Sequence, residues 1–202
     1  VLDDLHKRDI TVSKVIQTHF HPDHVGGLPL LKGVEIIGSI YAQDTLKTYI
    51  KDYVQYLPTI VVLDKKSIKF GRHTFDLELN SGHSIDGLLI TLNNKYMFVG
   101  DDIILDNNSN ASIPFCSLGD AVAHINSISK ILSRIKGKTI LPTHGSKLDG
   151  RDTIIKDLIN RLTYLHFIKE NSNASYEEFH KETNISFLGR DWHVLNKIEE
   201  VE

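Results

Sequence analysis

Thr18-His19-Phe20-His21-Pro22-Asp23-His24 follows directly on Val12-Ser13-Lys14-Val15-Ile16-Gln17, and this junction decides how the chain is read. Four side chains able to ligate a metal, His19, His21, Asp23 and His24, fall within six residues just past an apolar, β-branched run. Extended backbone repeats every two residues, so His19 and His21 leave a strand end on the same side. Pro22 pre-sets φ and Asp23 is a good helix starter, so the segment turns there into a helix. Asp23 and His24 then stand opposite the first His pair, and the two sets face a shared volume. Neutral imidazole and carboxylate suit zinc, iron, manganese or cobalt.

The stretch resembles the signature of the metallo-β-lactamase-fold superfamily. The resemblance extends to His83 in Ser81-Gly82-His83-Ser84, Asp101 in Val99-Gly100-Asp101 and His144 in Pro142-Thr143-His144-Gly145, in the family's order, and covers about residues 12–145. It implies an α/β fold of αββα sandwich type with the site at one edge. It also implies a first metal held by His19, His21 and His83, a second held by Asp23, His24 and His144, and Asp101 bridging the two. In that family a few strands normally precede the His-rich motif. The chain opens at Val1 close to the motif, so the expectation is a sandwich without its first N-terminal strands. A single domain over residues 1–202 is expected, with the core motifs in 12–145 and a helical part in 150–202.

A chain of 202 residues with 41% hydrophobic content can bury one good core. The formal charge of −3 gives no reason to expect a nucleic-acid or membrane partner. The apolar runs are too short to span a bilayer, and the start carries no charged-then-apolar leader pattern. The single cysteine, Cys116, excludes an intrachain disulfide and fits a reducing cytoplasm.

Periodicity supplies the elements. Residues 1–8 read as the end of a helix and 11–18 as a strand that ends at the motif. A short helix is expected over 23–32, a strand over 34–41 and a helix over 43–53. Strands over 59–63, 67–70 and 73–79 follow, the last ending at the loop that delivers His83. Residues 88–92 and 96–99 form a hairpin across Asn93-Asn94 and run into Gly100-Asp101. Helices over 119–135 and 151–170 flank a short strand, 138–141, that hands off to His144. Ser175 caps a further helix with Glu178 three residues on. Phe187, Leu188, Trp192, Val194 and Leu195 are the expected apolar anchors of the tail.

His6, His73, His124, His166, His180 and His193 have no ligand-spaced partner and read as surface or half-buried residues. His193, near Trp192 and Arg190, is the one to watch as a substrate contact. Adjacent residues of extended chain point to opposite sides, so only one of Asp101 and Asp102 can bridge metals. The family pattern selects Asp101 and leaves Asp102 a supporting or solvent-facing acid. Cys116 reads as a small core residue rather than a nucleophile.

Two divalent ions, two ligand carboxylates and a bridging hydroxide leave a pocket that is net positive by about one charge. Such ions lower the pKa of water to about 7, so a hydroxide nucleophile exists at neutral pH. The resemblance therefore implies a dinuclear metal-dependent hydrolase of an ester, thioester or lactone. Zinc is the expected ion, with iron or manganese as substitutes, and Asp23 and Asp101 are the expected catalytic acids. The expected partner is a small-molecule substrate, anionic ones included, with no nucleic acid and no membrane. Open alternatives are an iron-dependent sulfur dioxygenase of the persulfide dioxygenase type, a phosphodiesterase or nuclease, and a metal-binding scaffold without catalysis.

Overall fold

The computed structural model describes residues 1–116 and 120–197. After helix α1 (Leu2–Lys7) come strand β1 (Lys14–Ile16), helix α2 (Pro22–Val25), strand β2 (Glu35–Ser39), helix α3 (Ala42–Tyr49) and strand β3 (Ile60–Val62). A β-rich stretch follows with β4 (Lys65–Phe70), β5 (His73–Leu79), β6 (Leu88–Leu92) and β7 (Tyr96–Gly100). The chain ends with α4 (Ala121–Arg134), β8 (Thr139–Pro142), α5 (Arg151–Glu170), α6 (Tyr176–Thr183) and α7 (Trp192–Leu195).

Two sheets result. The first has order β1-β2-β3 and is wholly parallel; the second has order β4-β5-β6-β7-β8, antiparallel except for the β7-β8 pair. Parallel strands need crossovers, and the segments carrying α2 and α3 supply them. Three apolar layers match this order. Ile37 and Val62 face Leu77, Leu88 and Ile90 between the sheets. Phe20, Val25, Leu28 and Leu46 pack on the outer side of the first sheet. Met97, Val99 and Ile140 meet Ile128, Ile131, Leu158 and Leu165 of α4 and α5 on the outer side of the second. This is helix on sheet on sheet on helix, the expected αββα sandwich.

β1 lies at one edge of its sheet. Beside it an apolar groove of about 380 Å³ opens between the sheets, lined by Ile16, Ile37, Ile68, Phe75, Ile90 and Phe98 among others.

Several boundaries differ from the sequence reading for local reasons. The strand expected over 11–18 pairs only at Lys14–Ile16. The helix expected over 23–32 stops at Val25, and Gly27-Leu28-Pro29 re-forms as a single 3-10 turn, Leu28–Leu30. Pro29 lacks the N–H that a continuous helix would require. The helix expected to reach Tyr53 stops at Tyr49, because Ile50 turns extended with φ −130° and ψ 117°. α4 begins at Ala121 behind Asp120, whose side chain accepts from the Ala123 N–H; the expected start at Gly119 lies outside the described residues. α5 and the Ser175–Glu178 capping box fall where expected. The tail differs more. Phe187 is buried, but Leu188, Val194 and Leu195 face solvent, and His193 and Asn196 are the buried residues.

Candidate metal centre

Each of the seven expected ligands stands just past a strand or at the first turn of a helix. β1 runs into Thr18, whose carbonyl accepts from the Leu88 N–H at 2.7 Å, so the two sheets are pinned together immediately before His19. Pro22 opens α2 behind His21, and Asp23 and His24 occupy its first turn. β5 delivers His83, β7 delivers Asp101 and β8 delivers His144. Rigid strand ends therefore hold groups that are up to 125 residues apart in the chain (His144 against His19).

The side chains meet in two groups, His19, His21 and His83 in one and Asp23, His24, Asp101 and His144 in the other. Within each group one ligand-competent atom per residue lies within 4.8 Å of all the others. His83 Nε2 is 3.1 Å from His21 Nδ1. The Asp101 Oδ2 atom lies 3.3 Å from His24 Nε2, 3.4 Å from His144 Nε2 and 3.9 Å from His83 Nε2, so this carboxylate touches both groups. Asp23 Oδ2 is 3.3 Å from His24 Nε2 and 3.4 Å from His144 Nε2.

These groups fit metal ions by their own chemistry. His19 Nε2, His21 Nε2, His24 Nε2 and Asp101 Oδ1 are buried and have no hydrogen-bond partner among the described residues. Buried polar atoms left so are costly, and a cation is what would satisfy lone pairs converging from several sides. Charge states agree. Burial, with the neighbouring histidines, holds His19 well below its ordinary pKa, and burial takes His83 down to about 4. Burial also lowers His21. These three imidazoles are thus neutral at pH 7 and offer lone pairs. Burial opposes charge on His24 and Asp101 too, but their mutual contact outweighs it, raising His24 and lowering Asp101.

The family model of the metallo-beta-lactamase superfamily matches residues 2–144, which include all seven of these side chains. The chain belongs to the metallo-beta-lactamase superfamily. Among curated relatives it is similar to "Lactamase-like protein notP" of an Aspergillus species, 27% identical over 160 residues, 76% of this chain and 43% of that protein. It is also similar to a hydroxyacylglutathione hydrolase of Haemophilus ducreyi, 22% identical over 142 residues, 69% of this chain and 54% of the relative. The chain thus spans about half the length of the curated relatives it matches. A solved metallo-beta-lactamase from Pontibacter korlensis superposes with a TM-score of 0.61 at 19% identity, over 78% of this chain and 69% of that one, and shows the shared fold. No helix among the described residues is long and apolar enough to cross a membrane.

Around this superfamily site stands a set of supports that local sequence patterns did not reveal. Asp86 is fully buried and accepts from the Phe20 N–H and the Thr45 hydroxyl, each at 2.8 Å, as well as from Ser84. It fixes the backbone between His19 and His21. Read in sequence, a carboxylate between Ile85 and Gly87 is a turn residue, and its partner at Phe20 is 66 positions away. Asp102 is the second support: of the two roles left open for it, supporting or solvent-facing, the structure shows the supporting one, since it is buried. One oxygen accepts from the His83 N–H at 2.9 Å, the other from Asn80 Nδ2 at 2.8 Å. Burial pushes its pKa up to about 6. Gly82 makes the packing possible, since a Cβ there would sit 2.3 Å from Asp102 Oδ1 and 2.4 Å from Ser127 Cβ. Gly100, at φ +56°, bends the end of β7 so that Asp101 can face His24.

His124 is likewise no surface residue. It is completely buried behind the site, with Nε2 3.6 Å from Asp102 Oδ1 and Nδ1 3.8 Å from Cys116 Sγ. Burial lowers it to about 3 and raises Cys116 to about 12, so the thiol stays protonated and the residue acts as a small core side chain, as expected. His193 turns away from the site into the C-terminal core, bonded to the Tyr164 hydroxyl at 3.1 Å and the Ala174 carbonyl at 3.0 Å. Its neighbour Trp192 packs with its ring 5.4 Å from that of Phe115, which in turn lies 5.7 Å from the His83 ring.

Proposed function

We propose that this chain is a metal-dependent hydrolase of small carboxylic esters, thioesters or lactones, with His19, His21 and His83 holding one divalent ion and Asp23, His24 and His144 a second, Asp101 between them. The observation that carries the reading is the convergence of all seven side chains, with buried polar atoms of His19, His21 and Asp101 that have no hydrogen-bond partner among the described residues. The donor set is nitrogen and oxygen only, which suits zinc and admits iron or manganese. Two ions bound there would lower the pKa of water to about 7 and polarise a substrate carbonyl.

The chain's own residues supply the rest. Asp101 is ionised, and its Oδ2 lies between the two histidine groups, where it can take a proton from the attacking water and pass it to the leaving sulfur or oxygen. Asp23, bordering His24 and His144 and largely open to solvent, orients the entering water from the accessible side. Asp86 and Asp102 keep the histidine loops from moving when the ligands are charged. In the reaction the water oxygen bonds to the acyl carbon, the C–O or C–S bond breaks, and the proton leaves with the alcohol or thiol. A hydroxyacylglutathione hydrolase among the relatives favours the thioester end of this range. The complete second group favours two ions over the single iron of a sulfur dioxygenase. A reducing cytoplasm suits the lone, buried Cys116.

The test is a panel of ester, thioester, lactone and phosphodiester substrates, run on zinc-loaded protein and after chelation. Turnover of at least one carboxylic substrate is expected, lost on chelation and restored by zinc. Oxygen uptake on a persulfide with no hydrolysis of any of the panel would remove the reading.

A further inference from the structure

The seven ligands account for the floor of the site but not for the aromatic rings set around it. The Tyr49 ring stands edge-on to His21 at 4.9 Å, and its residue is 45% exposed. On the other flank the Phe115 ring lies 5.7 Å from the His83 ring, and the Trp192 ring lies 5.4 Å from Phe115. Phe115 and Trp192 are each half-buried. The order Tyr49, His21, His83, Phe115, Trp192 is thus a continuous run of rings, with the metal-binding pair at its centre.

The flank is held in place by the C-terminal tail. Asn196, buried at 4% exposure, accepts from the Cys116 N–H at 2.8 Å and donates to the Pro114 carbonyl at 2.7 Å, bracketing Phe115 from both sides. The Phe115 carbonyl lies 3.0 Å from His83 Nδ1, so the same residue that presents its ring also orients the ligand. Ser112 pairs with Leu188 further up the segment. Trp192 and Asn196 lie beyond the residues the superfamily model matches, 2–144, whereas Phe115 and Tyr49 lie within them. Two cations of the same C-terminal segment have contacts of their own. The Arg190 guanidinium lies 5.1 Å over the Tyr176 ring, and Lys197 donates to the Ala174 carbonyl.

We propose that Phe115 and Trp192, with Tyr49 opposite, form the binding wall for an apolar acyl group, aromatic or medium-chain, on the ester or thioester that the site hydrolyses. Large planar side chains with few rotatable bonds offer area for such a group at low ordering cost. A glutathione conjugate would need its carboxylates met, whereas the three rings offer apolar area. The proposal rests on the hydrolase reading for the reaction, but not for the binding.

Two measurements separate them. Trp192 is the only tryptophan in the chain, so its emission reports directly on occupancy of the wall. Phenylacetate and hexanoate should change the emission of zinc-loaded protein saturably, and acetate should not. In turnover, 4-nitrophenyl phenylacetate should exceed 4-nitrophenyl acetate in kcat/KM by at least about tenfold, the scale of a well-filled apolar pocket. Trp192→Ala should cut that ratio at least about fivefold, and Trp192→Leu should restore part of it. Val194→Ala, a solvent-facing neighbour, should leave the ratio alone. Saturable emission changes without hydrolysis of either ester would sink the hydrolase reading and keep the wall. Hydrolysis with no emission change, with a ratio indifferent to Trp192, or with a hydroxyacyl thioester of glutathione preferred over a phenylacetyl thioester, would overturn the wall and keep the hydrolase.

Discussion

Asp101→Asn is expected to lower kcat on the best carboxylic substrate by a factor on the order of 10²–10⁴ while leaving the fold intact. The carboxylate is 7% exposed, lies within 3.4 Å of His24 and His144 nitrogens, and approaches His83. The amide keeps the shape and removes both the negative charge between the two groups and the proton acceptor. Because the charge would also help to hold the proposed ions, the measurement is kcat at saturating zinc, with circular dichroism confirming the fold. Asp102→Asn acts through the fold rather than through the reaction. Were Asp102 solvent-facing, the change would be mild. In its buried place the new amide meets the Asn80 amide, donor against donor, and loosens the His83 backbone. A reduced melting temperature is expected, and a zinc affinity lowered about 10- to 100-fold, as for other groups that orient metal ligands.

Arg161→Met should produce the largest loss of stability of any single change outside the ligands, about 3–5 kcal/mol. Arg161 is completely buried in α5. Its Nε donates to Asp157 Oδ2 at 2.7 Å, Nη1 to the Ser112 carbonyl at 3.1 Å and Nη2 to the Ile104 carbonyl at 3.0 Å. Removing it strands the half-buried Asp157 carboxylate and two carbonyls at once. The loop it holds follows Asp101-Asp102 directly, and Leu105 donates to the His144 carbonyl, so its loss should also weaken zinc binding. Denaturant unfolding of the metal-free protein reads the stability term separately. The double change Arg161→Met, Asp157→Leu should recover part of it, because the uncompensated charge has gone. An Arg161→Met protein with an unchanged unfolding midpoint would mean that the cluster contributes nothing net.

The candidate ligand set could be proposed from the sequence because the superfamily resemblance picks out its members and each sits beside a strand end or helix start that short-range patterns suggest. His19 and His21 follow from the two-residue repeat of β1; the hairpin places Asp101 and Asp102 together at its end, and the family pattern chooses between them. The α5 helix and the Ser175 cap are local in the same sense. What could not be read were features decided by distant partners. Asp86 is a turn residue until Phe20 and Thr45 are brought to it, and His124 looks like a surface helix residue until α4 is laid against the Asp102 loop. The tail shows the limit most clearly. Val194 and Leu195 satisfy an apolar pattern yet face solvent, whereas polar Asn196 is buried because Pro114 and Cys116, about 80 positions earlier, offer it a carbonyl and an N–H. Hydrophobicity ranks a residue's preference for burial, but a specific hydrogen-bonded slot overrides that rank.

The account turns on two metal ions bound by these seven residues, and elemental analysis against protein concentration tests it most directly. About two equivalents of zinc, iron or manganese are expected in freshly purified protein, with His83→Ala and His144→Ala each reducing the count towards one. A single equivalent that neither substitution changes, in folded protein, would contradict the assignment.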